Sequence, residues 1–159
     1  PAITDSAIEE GFKNVIQNTG LLGRFQTLSE NPKTIVDVGH NEDGLNLVFA
    51  EIQKLSFQKL HIVLGMVNDK DVDQVLKLFP THAFYYFCKA NIPRGLEAEK
   101  LAEKAHAKSL SGDVYGSVKA AYLNAVFIFQ RNDCGSADCI WAKLDNLIDR
   151  CYSKYSLRD

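Results

Sequence analysis

The sequence has no glycine-rich phosphate cradle. Neither G-x-x-x-x-G-K-[ST] nor G-x-G-x-x-G occurs in its 159 residues, which excludes a P-loop within the chain and argues against a dinucleotide fold. G-x-S-x-G and H-E-x-x-H are missing too, and no nucleophile stands with a base beside it. An excess of one charge is also lacking. With 18 basic and 20 acidic residues the net charge is −2, which offers no electrostatic footprint for nucleic acid or an anionic membrane. No apolar run approaches the roughly 18 residues of a membrane span, and no charged-then-apolar leader opens the chain. Its first residue is Pro1 rather than Met, as expected of a fragment or a processed product. Cysteine is sparse: Cys88, Cys134, Cys139 and Cys151 form no C-x-x-C pair, and no His stands near them in zinc-like spacing. Cys88 ends an apolar run and is expected to be a buried free thiol. Reduced thiols in a cytoplasm are the default for such usage.

An apolar content of 46% and a charged content of 24% are those of an ordinary globular domain, and the length suits one such domain. Hydrophobic periodicity divides the chain. Ile8, Phe12, Val15 and Ile16 give Asp5 to Asn18 one apolar helical face, with Asp5 or Ser6 as cap and Gly20 as stop. Gly23 to Ser29 alternates as a half-exposed strand does, and is expected to pair across a turn at Ser29–Pro32 with the buried run Thr34–Val38. Strand and helix then alternate. Asp43 is expected to cap a helix carrying Leu45, Val48, Phe49, Ile52 and Leu55. Leu60–Met66 reads as a strand, residues 68–71 cap a helix closed by Pro80, and Ala83–Cys88 is a strand. A helix with Leu96, Leu101, Ala102 and Ala105 follows, then a short strand over Gly112–Tyr115. Ser117 caps a helix carrying Val118, Ala121, Tyr122 and Ala125, and Val126–Phe129 reads as a last strand. Beyond it come a loop from Gln130 to Ser136, an amphipathic helix from Ile140 to Cys151, and a polar end. This alternation predicts an α/β fold with a mostly parallel sheet.

Ligands of such sheets sit beyond the carboxyl ends of the strands. Three polar groups are expected to line that edge: Asp37/His40/Asn41, Asn68/Asp69/Lys70 and Lys89/Asn91/Arg94. In Asp37-Val38-Gly39-His40-Asn41, Gly39 permits a tight turn that opens a helix. A helix start carries unsatisfied N–H groups and about half a positive charge, so it favours phosphate. His40 can donate to a phosphate oxygen, and Asp37 can accept from ribose hydroxyls or help to bind a metal through water. The plainer alternative is that Asp37 and Asn41 cap the turn while His40 lies on the surface. Arg24 follows a glycine just past a helix stop, where a guanidinium can clamp phosphates or simply be solvated. Capping and a local ion pair with Asp69 or Asp71 account for Lys70. Arg94 opens a helix, a position mildly unfavourable for a cation.

Taken together, Leu22-Gly23-Arg24, then Asp37-Val38-Gly39-His40-Asn41-Glu42-Asp43-Gly44, then Leu64-Gly65-Met66-Val67-Asn68-Asp69-Lys70-Asp71, then Pro93-Arg94-Gly95 resemble the C-terminal half of folylpolyglutamate synthases. These enzymes are often bifunctional with dihydrofolate synthase and are related to the Mur peptide ligases. The resemblance covers roughly Ala7 to Phe129, with all four motifs in the family's order. It implies a Rossmann-like mixed sheet with helices on both faces. It also implies an ATP-dependent ligation in which a folate or dihydropteroate carboxylate becomes an acyl phosphate that the amine of L-glutamate attacks, with Mg²⁺ bridging phosphates. The family's P-loop lies in an N-terminal ATPase domain, so the chain is expected to be inactive alone.

On this resemblance residues 1–20 end the ATPase domain and linker, 21–150 form the C-terminal domain, and 151–159 are a polar tail. Arg24 would reach the ATP phosphates, Asp37 would contact the nucleotide, and Asn41 would also face it. His40 would be the catalytic group facing phosphate and glutamate. Lys70 and Arg94 would help to place glutamate or hold the loops. No residue is expected to be a metal ligand. The family's last strand runs straight into a Gly-Ser turn, whereas Gln130-Arg131-Asn132-Asp133-Cys134 intervene here. Two other readings remain: a Mur-type ligase domain, which typically carries a Lys where Val38-Gly39 stands, and a non-catalytic α/β binding module.

Overall fold

The computed structural model describes residues 3–68, 71–131 and 139–143. Six strands form one sheet: β1 (Gln26–Glu30), β2 (Lys33–Asp37), β3 (Leu60–Leu64), β4 (Phe84–Cys88), β5 (Ser111–Tyr115) and β6 (Cys139–Lys143), in the spatial order β1-β2-β6-β3-β4-β5. β1 and β2 make the expected antiparallel hairpin, and every other neighbour is parallel. β3 is buried at all five positions, as a strand covered on both faces must be.

The helices between strands are α3 (Glu42–Gln53), α4 (Val72–Val75, continued by a 3₁₀ turn over Leu76–Leu78), α5 (Ala98–His106) and α6 (Val118–Arg131). Strand-to-strand crossovers are right-handed. The three connections that step from β2 toward β5 therefore place α3, α4 and α5 on one face. The return from β5 to β6 runs the other way and places α6 on the opposite face. The packing follows this rule. Leu45, Phe49, Ile52, Leu76, Leu101 and Ala105 close over Ile35, Ile62, Leu64, Tyr85, Phe87 and Trp141. Val118, Ala121 and Ala125 close over Val63, Tyr86, Cys88, Ile140 and Ala142.

The last part of the expected order is corrected here. Val126–Phe129 is not a strand: it is the C-terminal part of α6, which also takes in Gln130 and Arg131 from the expected loop. Buried Val118, Ala121 and Ala125, with half-buried Tyr122, Val126 and Phe129, keep a helical period through the run, and that period outweighs the strand propensity of Val, Ile and Phe. The sixth strand is Cys139–Lys143, read in sequence as the start of a helix. Ile140 and Ala142 face α6 while Trp141 faces the other core, the alternation of a strand covered on both sides. The rest of the expected helix, the polar tail 151–159, and Asp69 and Lys70 lie outside the described residues.

Caps are corrected as well. The first helix divides at Asn14 into α1 (Asp5–Lys13) and α2 (Val15–Thr19), and its cap is Thr4, whose Oγ1 accepts from Ala7 N at 3.3 Å. α3 is capped by Asn41, not Asp43. Ser117 does cap α6, its Oγ accepting from Ala120 N at 3.1 Å, and Gly20 takes the left-handed conformation expected of a helix stop (φ 66°). Cys88 is a fully buried free thiol, as expected, and burial pushes its pKa up to about 12.

Candidate functional site at the carboxyl edge of the sheet

The parallel registers set Asp37, Lys143 and Leu64 side by side, with Leu64 beside Phe87 of β4. The turns after β2, β3 and β4 therefore leave the sheet at one edge, where the sequence placed its three polar groups.

The turn after β2 is built around two polar side chains and two glycines. Asp37 is only 6% exposed. Its Oδ1 accepts from Gly39 N at 2.6 Å, and its Oδ2 accepts from Phe25 N at 2.7 Å. Both are short, charge-assisted bonds. A Cβ at position 39 would stand 2.8 Å from Asp37 Oδ1, and one at position 44 would stand 2.7 Å from Asn41 Oδ1. Each glycine thus makes room for the polar group that folds the turn. Asn41 Oδ1 accepts from Gly44 N at 3.0 Å, and Glu42 and Asp43 occupy the first turn of α3. One N–H of the helix start is therefore taken, and two carboxylates offset the helix dipole there. The start of α3 is a capped turn rather than an open phosphate cradle. His40 is exposed above it, with Nδ1 at 3.3 Å from the Val38 carbonyl. A proton on Nδ1 donates to that oxygen and leaves Nε2 facing outward.

Asp37 also reaches the segment that carries Arg24. Gly23 and Phe25 both have positive φ (71° and 45°), so exposed Arg24 lies between two left-handed residues. Gly23 O accepts from Val38 N at 2.9 Å, and Gly23 N donates to Gln26 Oε1 at 3.0 Å. The Phe25 ring packs against the core under α3. Sequence reading singled out Arg24 and Asp37 but missed Gly23, Phe25 and Gln26 as the residues that connect them.

The turns after β3 and β4 form a second unit. Asn68 N donates to Arg94 O and Leu96 N donates to Met66 O, both at 2.8 Å. Gly95 lies so close beneath Ala90 that a Cβ there would come within 2.3 Å of its carbonyl oxygen. Arg94 is exposed on this unit. Lys89 is paired with Glu97 at 2.6 Å. β6 separates the units from one another, so the structure brings Arg24, Asp37, His40 and Asn41 onto one turn system, with Arg24 linked through the Gly23 and Phe25 backbone, and sets Arg94 further along the same edge. Among the described residues no three His, Cys, Asp or Glu side chains converge on a metal position, and no helix is long and apolar enough to cross a membrane.

Residues 23–135 match the family described as Mur ligase, glutamate ligase domain. The dihydrofolate synthase/folylpolyglutamate synthase of Escherichia coli K12 is 30% identical over 140 residues, 84% of this chain and 31% of that protein. The structure of E. coli FolC in complex with DHPP and ADP aligns with a TM-score of 0.71 at 27% identity, covering 89% of this chain and 32% of that one. The Yersinia pestis bifunctional folylpolyglutamate synthase/dihydrofolate synthase complexed with AMPPNP and Mn ion aligns with a TM-score of 0.71 at 28% identity, over 89% of this chain and 32% of that one. The chain spans about a third of the length of these relatives. With more than half of its residues inside one family match and with this fold, the chain belongs to the Mur ligase, glutamate ligase domain family.

Proposed function

We propose that this chain is the glutamate-side domain of an ATP-dependent ligase that joins L-glutamate to a folate or dihydropteroate carboxylate. The observation that carries this reading is the edge itself. Arg24, His40 and Asn41 are exposed on one braced turn system, in a family whose solved E. coli member holds DHPP and ADP. In the reaction the acceptor carboxylate attacks the γ-phosphorus of ATP and ADP leaves. The glutamate amine then attacks the acyl carbonyl, loses a proton, and phosphate leaves.

Arg24 neutralises phosphate charge as it passes to the transferred group. His40 Nε2 faces the reacting phosphate and the incoming amine, and the Asn41 amide adds a donor. Both Asp37 oxygens hold backbone amides, and Asp37 serves the site by bracing the turn that carries Arg24 and His40. Arg94, with Lys70, supplies positive charge for the carboxylates of glutamate.

The Mg²⁺ that bridges the phosphates is assigned to a P-loop ATPase domain N-terminal to this one. Residues 1–20 belong with that domain and its linker, 21–150 form the glutamate ligase domain, and 151–159 are a tail. A cytoplasmic setting suits this chemistry. Calorimetric titration and coupled ADP-release assays test the reading on the chain alone and on the longer protein that includes the ATPase domain. The expected result is weak ATP binding and no turnover by the chain alone, with glutamate-dependent ADP release by the longer protein. Tight ATP binding or turnover by the chain alone overturns it.

A further inference from the structure

We propose that Asp37 and Phe25 are positioning residues for Arg24: they fix the backbone that presents its exposed guanidinium to the phosphates. This rests on the phosphate-binding reading of Arg24 and adds how that residue is held. A free arginine side chain on a flexible loop loses much of its binding energy to ordering. Here the backbone part of that ordering is done in advance. Phe25 has φ 45°, a region that a bulky residue enters only under constraint. Three constraints are visible. The Phe25 N–H is fixed to Asp37 Oδ2 at 2.7 Å, its half-buried ring packs against the larger core, and Gly23 is held on both sides by Val38 N and Gln26 Oε1. Asp37 is itself immobilised by Gly39 N. The carboxylate spans twelve residues of sequence to tie the arginine loop to the turn that carries His40, so the backbones that carry these two exposed side chains keep a set relation to each other.

The test uses steady-state kinetics of the longer enzyme that contains this domain, with Arg24→Ala, Asp37→Asn, Phe25→Gly and the two doubles that combine Arg24→Ala with each of the others. Asp37→Asn removes one of the two accepted amide bonds. Phe25→Gly relieves the strained φ but removes the ring and frees the loop. Arg24→Ala is expected to lower kcat/KM for ATP by about 10- to 100-fold, the value of a charged hydrogen-bonding group. Asp37→Asn and Phe25→Gly each lower it by about 5- to 30-fold, with KM for glutamate unchanged. In the Arg24→Ala background neither adds more than about twofold.

Losses that multiply in the doubles overturn the positioning role while leaving Arg24 as a phosphate ligand. An Arg24→Ala enzyme with unchanged kinetics overturns the phosphate reading itself. Phe25→Gly leaves every polar partner of Asp37 in place, so it decides the question if Asp37→Asn fails to fold. Full activity in Phe25→Gly would then sink the proposal.

Discussion

Gly39 and Gly44 look equivalent in the sequence but differ in what a methyl group would displace. At position 44 the group would meet Asn41 Oδ1 at 2.7 Å. Losing that exposed cap costs about 1 kcal/mol, while replacing a helical Gly by Ala returns about 1 kcal/mol. Gly44→Ala is therefore expected to shift the urea unfolding free energy by less than about 1 kcal/mol. At position 39 the group would meet the buried Asp37 carboxylate at 2.8 Å, which cannot turn away without releasing the Phe25 and Gly39 amides. Gly39→Ala is expected to destabilise by about 2–3 kcal/mol, and urea melts of the two variants side by side check the difference.

Cys88 gives a second residue-scale prediction. Its thiol is fully buried, donates to Leu64 O at 3.5 Å, and is pushed up to about 12 from an ordinary value of 9.0 by burial. The folded state holds the proton above the pH at which the unfolded chain releases it. The stabilisation is complete below pH 9 and declines as pH rises toward 12. At pH 8 the native thiol should resist iodoacetamide and react only after unfolding, read by peptide mass spectrometry at that site. The placement of Arg24 was legible only in part. Gly23 announces a turn by its residue type, but the left-handed Phe25 does not, and its constraint comes from Asp37 twelve residues away.

At the scale of elements, the β2–turn–α3 unit was readable because its rules are local. D-x-G and N-x-x-G each pair an acceptor with a glycine two or three residues on. The end of the chain was not readable in the same way. A short apolar run such as Val126–Phe129 fits a buried strand or a buried helix, and the place between β2 and β3 is taken by β6. The two assignments give opposite mutational patterns. In a strand extended back to Ala125, that residue, Phe127 and Phe129 would share one face. In α6, Ala125 is fully buried against the sheet while Phe127 is half exposed. Ala125→Leu should therefore cost about 1–3 kcal/mol by overpacking, and Phe127→Ala less than about 0.5 kcal/mol, in thermal or urea melts. Comparable losses at both positions would contradict the helix.

At the scale of the whole molecule, the first segment stands apart from the rest. α1 buries no residue, and Ile3, Ile8 and Phe12 are 78%, 45% and 74% exposed. The family match begins only at residue 23, where Gly23 starts the braced loop. The two cores close without α1: one lies beneath α3, α4 and α5, the other beneath α6. Apolar burial supplies the main favourable term in folding at about 25 cal/mol per Å², so α1, which buries none of its side chains, adds little to the domain's stability. Removing residues 1–20 is therefore expected to leave the unfolding midpoint within about 2 °C of the parent, a shift equal to at most about 1 kcal/mol for a chain of this size. It should also reduce self-association, because three exposed apolar side chains leave with the segment. Differential scanning calorimetry and sedimentation velocity on the two chains measure both effects. A midpoint lower by 10 °C or more would place α1 and α2 inside the domain and move its boundary to the N-terminal side of Thr4.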